Sequence, residues 1–187
     1  MGKKAKLDFA IEFIKHREEL GTPFASSRYL ARAVAREVSG YKRVVELGAG
    51  QGQVTRRILK ENPGLVSLTA FEIIPELFED LLQINDSRLT IVSASAENFI
   101  DYVPDFDCVV SGLPLTTMFR KSREIVDKIL SDSRSAQRYI QYKYFPSKRL
   151  LKDYFEHVRG SMIWRNVPPA LIYVCSNNGS ESSFLKR

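Results

Sequence analysis

Three stretches of this 187-residue chain carry residue types and spacings suited to chemistry. The first is VVELGAGQG, residues 44–52. Val44 and Val45 are β-branched and read as the end of a buried strand, with Glu46 at its carboxyl end. Gly48, Gly50 and Gly52 then alternate with Ala49 and Gln51, and an amphipathic run follows with Val54, Ile58 and Leu59 at helical spacing. A strand, a glycine turn and a helix make a cradle for a nucleotide-like ligand, because glycines take φ > 0 and let the backbone come close. The spacing discriminates among ligands. A dinucleotide fingerprint needs G-x-G-x-x-G, and Gln53 stands at the third glycine. A phosphate loop needs G-x-x-x-x-G-K-[ST], and the same Gln53 breaks that pattern too. The second stretch is VSLTAFE, residues 66–72, a strand ending in Glu72, 20 residues beyond Gly52. An acid at about that distance holds ribose hydroxyls in nucleotide sites. One carboxylate can accept both hydroxyls, and Ile73 can cover one face of a base. The third is FDCVVSGLPLT, residues 106–116. Cys108, Val109 and Val110 form a buried strand, and Ser111-Gly112-Leu113-Pro114 turns across its end. Pro114 has no N–H and a locked φ, which fixes the carbonyls before it.

The elements that must position these stretches alternate along the chain. Helices are expected over 7–20, 26–39, 53–61, 75–84, 120–131 and 148–156. Strands are expected over 43–47, 66–72, 89–92, 106–111, 137–143, 159–164 and 170–175. Ser26 and Ser27 are candidate caps for the second helix. Strand–helix alternation implies an α/β fold: a seven-stranded, mostly parallel sheet with helices on both faces and one antiparallel strand near the C-terminus. A ligand should lie across the carboxyl ends of the strands, over Gly48–Gly52.

Composition narrows the class. Hydrophobic residues make up 44% and charged residues 27%, ordinary values for a globular domain. No apolar run reaches the roughly 18 residues of a spanning helix, and the opening MGKKAK reads as no signal peptide. Gly2 invites N-myristoylation, but Lys6 stands where Ser or Thr is required. Cys108 and Cys175 sit in strand-like runs as small apolar residues, which suits a reduced, cytoplasmic setting. With His16 and His157 the only histidines, no metal site is expected. The net charge is +6, and residues 120–152 hold ten basic residues against three acids. Such a block implies a polyanionic partner, either nucleic acid or an anionic membrane surface.

Set together, these stretches resemble known families. The pattern E-x-G-x-G-x-G after a strand resembles the S-adenosylmethionine loop of Rossmann-like methyltransferases, whose cofactor has no phosphate to bind. That resemblance implies a cofactor site formed by Glu46, Gly48, Ala49, Gly50, Gly52, Glu72, Ile73, Ser95, Ala96 and Ser111. SGLPL differs from the N-L-P-Y and N-P-P-Y of adenine N6 methyltransferases; Ser111 is read at the asparagine and Leu115 at the tyrosine. It is similar to the corresponding turn of the bacterial phospholipid N-methyltransferases, relatives of the ribosomal RNA adenine dimethyltransferases. FASSRYLA, residues 24–31, and IWRNVPPALIY, residues 163–173, resemble two further segments of that family. Two departures stand out. Ala94-Ser95-Ala96 replaces the family's Gly-Asp-Ala, and LSDSRSA at 130–136 replaces its L-R-P-G-G turn.

The resemblance implies an S-adenosylmethionine-dependent N-methyltransferase acting on the amino headgroup of phosphatidylethanolamine or a similar aminolipid. Ser111, Gly112 and Leu113 would hold the target nitrogen through backbone carbonyls, and Tyr144, beside Tyr142 and Gln141 at a strand end, would complete the catalytic set. It also implies peripheral contact with anionic lipid on the inner face of the membrane. Two alternatives stand beside it: an RNA adenine N6-methyltransferase, and a non-catalytic adaptor that retains the cofactor fold. The domain organisation read from the sequence is an amphipathic helix within 1–22, serving as cap or membrane-surface element, a methyltransferase domain over 23–176 and a flexible tail over 177–187. Leu7, Ala10, Ile11 and Ile14 give the helix its apolar arc, but Asp8, Glu12 and Glu19 dilute the basic face that membrane binding favours.

Overall fold

The computed structural model describes residues 27–115, 123–144 and 148–177. The expected helix over 7–20, Ser26 and residues 178–187 of the tail lie outside these.

The sheet grows from β1 (Arg43–Leu47), where Val44 and Val45 point to opposite faces and both are buried. It lies between β2 (Ser67–Phe71) and β4 (Cys108–Ser111), parallel to both. Asp107, one residue before β4, fixes the shared amino edge. Its Oδ2 accepts the Lys42 and Arg43 backbone N–H groups at 3.0 and 2.9 Å, and its Oδ1 meets the Arg43 guanidinium at 2.7 Å. β3 (Leu89–Val92) and β5 (Arg138–Lys143) extend the sheet in parallel on either side. β6 (His157–Ile163) and β7 (Ala170–Ser176) form a hairpin, and β7 slots antiparallel between β5 and β6. The order is β3-β2-β1-β4-β5-β7-β6, a seven-stranded sheet with one antiparallel strand, as the alternation implies. The chain reverses its direction of growth between β1 and β4, which opens a crevice at their carboxyl ends.

Helices cover both faces. On one face, α1 (Arg28–Glu37) and α2 (Gln53–Glu61) pack Leu30, Val34, Val54 and Ile58 against Val44, Leu68, Val110 and Ile140. Ser27 caps α1, its Oγ accepting the Leu30 N–H at 3.3 Å. α3 (Pro75–Leu82) carries proline at its first position and seats Leu81 against Ala49 and Ala70. The opposite face receives α4 (Phe99–Tyr102), α5 (Arg123–Ser133) and α6 (Lys148–Lys152), with Phe99, Val126, Ile129, Leu130 and Leu151 against Val45, Val109 and Tyr139.

Three local differences from the sequence reading have plain causes. α6 stops at Lys152 and β6 starts at His157, because residues 153–156 turn back to the amino edge. A 3₁₀ turn at Ala96–Asn98 leading into α4 has no counterpart in the expectation, since so short a run shows no helical period. Asn177, read as the first residue of a flexible tail, accepts the Glu156 N–H at 3.2 Å and donates to the Arg134 carbonyl at 3.4 Å. The glycine-free segment before β5 is closed by local bonds. The Ser133 hydroxyl donates to the Ile129 carbonyl at 2.7 Å, and the Gln137 N–H to the Asp107 carbonyl at 2.9 Å.

Candidate active site

Two turns meet at the mouth of the crevice. The glycine loop leaves β1 with Gly48, Gly50 and Gly52 all at positive φ, 72°, 58° and 79°. A side chain there would be strained, which is why the alternating glycines are needed. The Gly48 and Ala49 N–H groups donate to the Phe71 carbonyl at 2.9 and 3.0 Å, stitching the loop to the end of β2. From the other side, the Gly112 N–H donates to the Leu47 carbonyl at 2.9 Å. A methyl group on Gly112 would lie 2.9 Å from the Gly48 carbonyl and would overlap the Tyr142 hydroxyl. A methyl on Gly48 would lie 2.8 Å from the Leu113 side chain. The loop and the Ser111–Pro114 turn therefore touch, and glycine on both sides permits it. Gly50 is different: a methyl there meets nothing within 4 Å, so the apex of the loop faces open space.

Two acids flank the loop. Glu72 accepts the Gly50 N–H on Oε2 at 2.7 Å and the Ile73 and Ile74 N–H groups on Oε1 at 2.8 and 2.9 Å. Of its roughly four lone-pair directions, one remains, on Oε2. Glu46 is fully buried on the α2 side, its Oε2 accepting the Thr55 hydroxyl at 2.7 Å. Its Oε1 has no hydrogen-bond partner. Burial pushes its carboxyl up to about 8; the Thr55 bond opposes the shift and the Glu72 charge adds to it. Ser95 and Ala96 follow β3 at the same edge, half-buried, with the Ser95 carbonyl accepting the Asn98 N–H at 3.3 Å. These residues fit a ligand with an open-sided sugar and a cationic or donor group near Glu46. The glycine spacing and the absence of a loop lysine suit S-adenosylmethionine better than a phosphate ester.

The Ser111–Pro114 turn is held from below by Gln141. This fully buried side chain donates to the Ser111 and Leu113 carbonyls, each at 3.0 Å. Its own carbonyl accepts the Tyr139 hydroxyl at 2.7 Å, which fixes the orientation of the amide. The Ser111 hydroxyl points back into the turn and accepts the Leu113 N–H at 3.4 Å. Aligned on Leu113-Pro114, the pattern N-L-P-Y puts Gly112, not Ser111, at the asparagine position, and this corrects the register read from the sequence. Leu115, at the tyrosine position, is fully buried in the core.

Strand alternation splits the residues at the end of β5. Tyr142 and Tyr144 face the α1–α2 core, whereas Gln141 and Lys143 face the other side. Of the two tyrosines, it is Tyr142 whose hydroxyl abuts Gly112; Tyr144 packs half-buried at the rim of the same cluster. Lys143 went unnoticed in the sequence reading because its burial is a tertiary fact. It is 7% exposed, and desolvation lowers its pKa to about 8.

Among the described residues, the basic block over 120–152 does not form one patch. Arg138 lies at the amino edge against Glu37, Arg123 and Lys128 pair along α5 with Asp127 and Asp132, and Lys143 is buried. Residues 116–122 lie outside the described ones. None of the described helices is long and apolar enough to cross a membrane.

Comparison with known proteins bears on the fold. The sequence matches no protein-family model and no curated protein sequence. Solved structures do match. The N-methyltransferase NodS from Bradyrhizobium japonicum is 13% identical, with 82% of this chain and 96% of that one covered and a TM-score of 0.62. Spermidine synthase from Thermotoga maritima is 14% identical over 79% of this chain, with a TM-score of 0.60; the match spans 60% of the synthase chain. A Pyrococcus horikoshii protein with a proposed RNA methyltransferase activity is 14% identical over 78% of each chain, with a TM-score of 0.52. The fold is that of the Rossmann-like methyltransferases. Identities this low establish architecture and leave chemistry to the site.

Proposed function

We propose that this protein is an S-adenosylmethionine-dependent N-methyltransferase whose substrate is the amino headgroup of phosphatidylethanolamine or a similar aminolipid. The observation that carries the reading is the backbone contact between the Gly48 loop and the Ser111–Pro114 turn, with the turn's carbonyls held by Gln141. The NodS and RNA methyltransferase folds support a cofactor over the glycine loop. Glu72 would take a ribose hydroxyl on the remaining lone pair of Oε2, and Glu46 would face the positive end of the cofactor from beneath the loop. When bound, the cofactor supplies a methyl group electrophilic enough for direct attack by an amine.

The chain's own residues then have two tasks. The first is to align the nitrogen. The Leu113 carbonyl already accepts two bonds, from the Gln141 amide at 3.0 Å and the Leu115 N–H at 2.9 Å, and the Ser111 carbonyl takes the Gln141 amide beside its place in the β4–β5 ladder. The Gly112 carbonyl, between the two that are held, would accept an amine N–H and so turn the nitrogen lone pair toward the cofactor. The second task is to remove a proton, because a lipid amine is largely protonated at neutral pH. Lys143, one pleat beyond Gln141 on the same face, has a pKa near 8 and can receive it. An exocyclic adenine amine fits this turn less well. Gly112 offers no side-chain amide to a planar base, and the buried Leu115 offers no ring to stack on it.

The test is a labelled methyl donor supplied with phosphatidylethanolamine vesicles or with unmodified ribosomal RNA. Label in the lipid is expected, rising with pH toward about 8 as Lys143 loses its proton. Label in RNA alone would replace this reading with RNA methylation, and label in neither would leave an adaptor or a different amine.

A further inference from the structure

The β6–β7 hairpin turn carries a feature that the cofactor and the turn at Ser111 do not explain. Trp164 is the chain's single tryptophan and is 73% exposed; Val167, at the other end of the turn, is 86% exposed. Met162, just before them on β6, is 40% exposed. Large apolar side chains at a loop tip are normally folded inward, and these are held out. Asn166 explains how. It is buried beneath the tip, accepts the Ser27 N–H at 3.3 Å and donates to the Pro168 carbonyl, so residues 164–167 are pinned to the start of α1.

Cations surround the tip. The Arg165 guanidinium sits 4.5 Å from the Tyr29 ring centroid and donates to the Tyr29 hydroxyl at 3.1 Å. Arg28 lies 4.9 Å from the same ring and donates to the same hydroxyl at 2.8 Å. Both arginines are exposed. Lys148 and Arg149, also exposed, open α6 just after β5, on the same edge of the sheet. Of the acids in this half of the molecule, Glu37 and Glu156 lie at the opposite, amino edge, while Glu124, Asp127 and Asp132 lie along α5.

Topology places this tip beside the candidate active site. β6 runs parallel to β5, so its end at Ile163 reaches the carboxyl edge, and Leu171 pairs with Lys143. We infer that the Trp164–Val167 tip, ringed by Arg28 and Arg165, is the surface by which the protein docks on an anionic lipid interface. Tryptophan with an aliphatic neighbour suits the interfacial zone of a bilayer, and the cations suit anionic headgroups. A single-stranded RNA fits less well. Base stacking uses open aromatic faces, whereas Tyr29 is taken by guanidinium groups and Val167 offers no ring. The inference extends the aminolipid reading, since docking at this tip brings the Ser111 turn to the headgroup layer.

Because Trp164 is the sole tryptophan, the wild-type protein reports on itself. Its emission should shift to the blue on adding phosphatidylglycerol vesicles, and lipids brominated along their chains should quench it. Neutral phosphatidylcholine should do neither, and raised salt should weaken the shift. Val167→Ser, which keeps the reporter, should weaken vesicle binding about tenfold, and Arg28→Ala with Arg165→Ala should do the same while flattening the salt dependence. An emission unmoved by vesicles overturns the inference, as does one already blue without lipid, which would mean that the tip is covered by this chain or by a second copy. A shift with RNA and none with vesicles overturns it in favour of nucleic acid. Methyl transfer to a water-soluble ethanolamine headgroup separates the two claims. Transfer without a lipid-dependent shift removes the docking surface and keeps the enzyme; a shift without transfer does the reverse.

Discussion

Gln141 decides the shape of the substrate turn more than any residue within it. Its amide is oriented by the Tyr139 hydroxyl and spends its hydrogens on the Ser111 and Leu113 carbonyls. Gln141→Glu and Gln141→Leu each remove the side-chain donor, leaving the Leu113 carbonyl to the Leu115 N–H alone. Each should lower kcat by about 10–100-fold through misalignment, while leaving the S-adenosylmethionine Kd within about twofold. Calorimetry and steady-state kinetics check this; equal loss of cofactor affinity and turnover would mean that Gln141 merely supports the fold. In the proposed reading, Glu72 acts on the cofactor side. Glu72→Ala should weaken cofactor binding by about 2–3 kcal/mol, combining a lost ribose bond with a loosened Gly50 N–H. An unchanged Kd by calorimetry would remove Glu72 from the site.

At the scale of elements, two turns from different strands share one contact. Gly112→Ala would push a methyl against the Gly48 carbonyl and Tyr142, a cost of about 1–3 kcal/mol because backbone must move. Gly48→Ala would force a side chain to φ +72° against Leu113, costing about 1–2 kcal/mol from the backbone alone. Since the same two turns must separate in each variant, the double variant should cost less than the sum by about 0.5 kcal/mol or more. Thermal denaturation of the four proteins tests this. Strict additivity would mean that the turns relax independently and that the close approach is not a joint constraint.

For the whole molecule, Glu46 links folding to pH. The folded protein keeps this proton up to about pH 8, whereas the unfolded chain releases it near the ordinary value of 4.5. Between those values the folded state binds more protons, so stability from this group falls as pH rises and levels off above about 8. Glu46→Gln keeps an acceptor for Thr55 and removes the charge. Its advantage over the wild type should grow between pH 5 and 8, by up to a few kcal/mol, and then stay constant. Denaturant titrations across that range measure it; a difference independent of pH would show that Glu46 ionises freely. S-adenosylmethionine, being cationic, should reduce the difference by favouring the ionised carboxylate.

The sequence by itself determined the architecture and the position of the glycine loop at the end of β1. Hydrophobic runs of period two alternating with runs of period 3.6 are local signals, and they located all seven strands to within two residues. The glycines at 48, 50 and 52 were equally legible, because positive φ leaves a mark in residue type. Other features depended on contacts between distant segments. Gln141 meets Ser111 across 30 positions, Asn166 meets Ser27 across 139, and Arg138 leaves the apparent basic block to meet Glu37 across 101. Charge counted along a chain says nothing of which side chains share a face. The burial of Lys143 and the protrusion of Trp164 follow from the β5–β7–β6 pairing, which brings β7 between two strands that precede it in the chain. Only folding sets the dielectric around a lysine or leaves a tryptophan in water, and those two facts carry the proposed proton acceptor and the proposed docking surface.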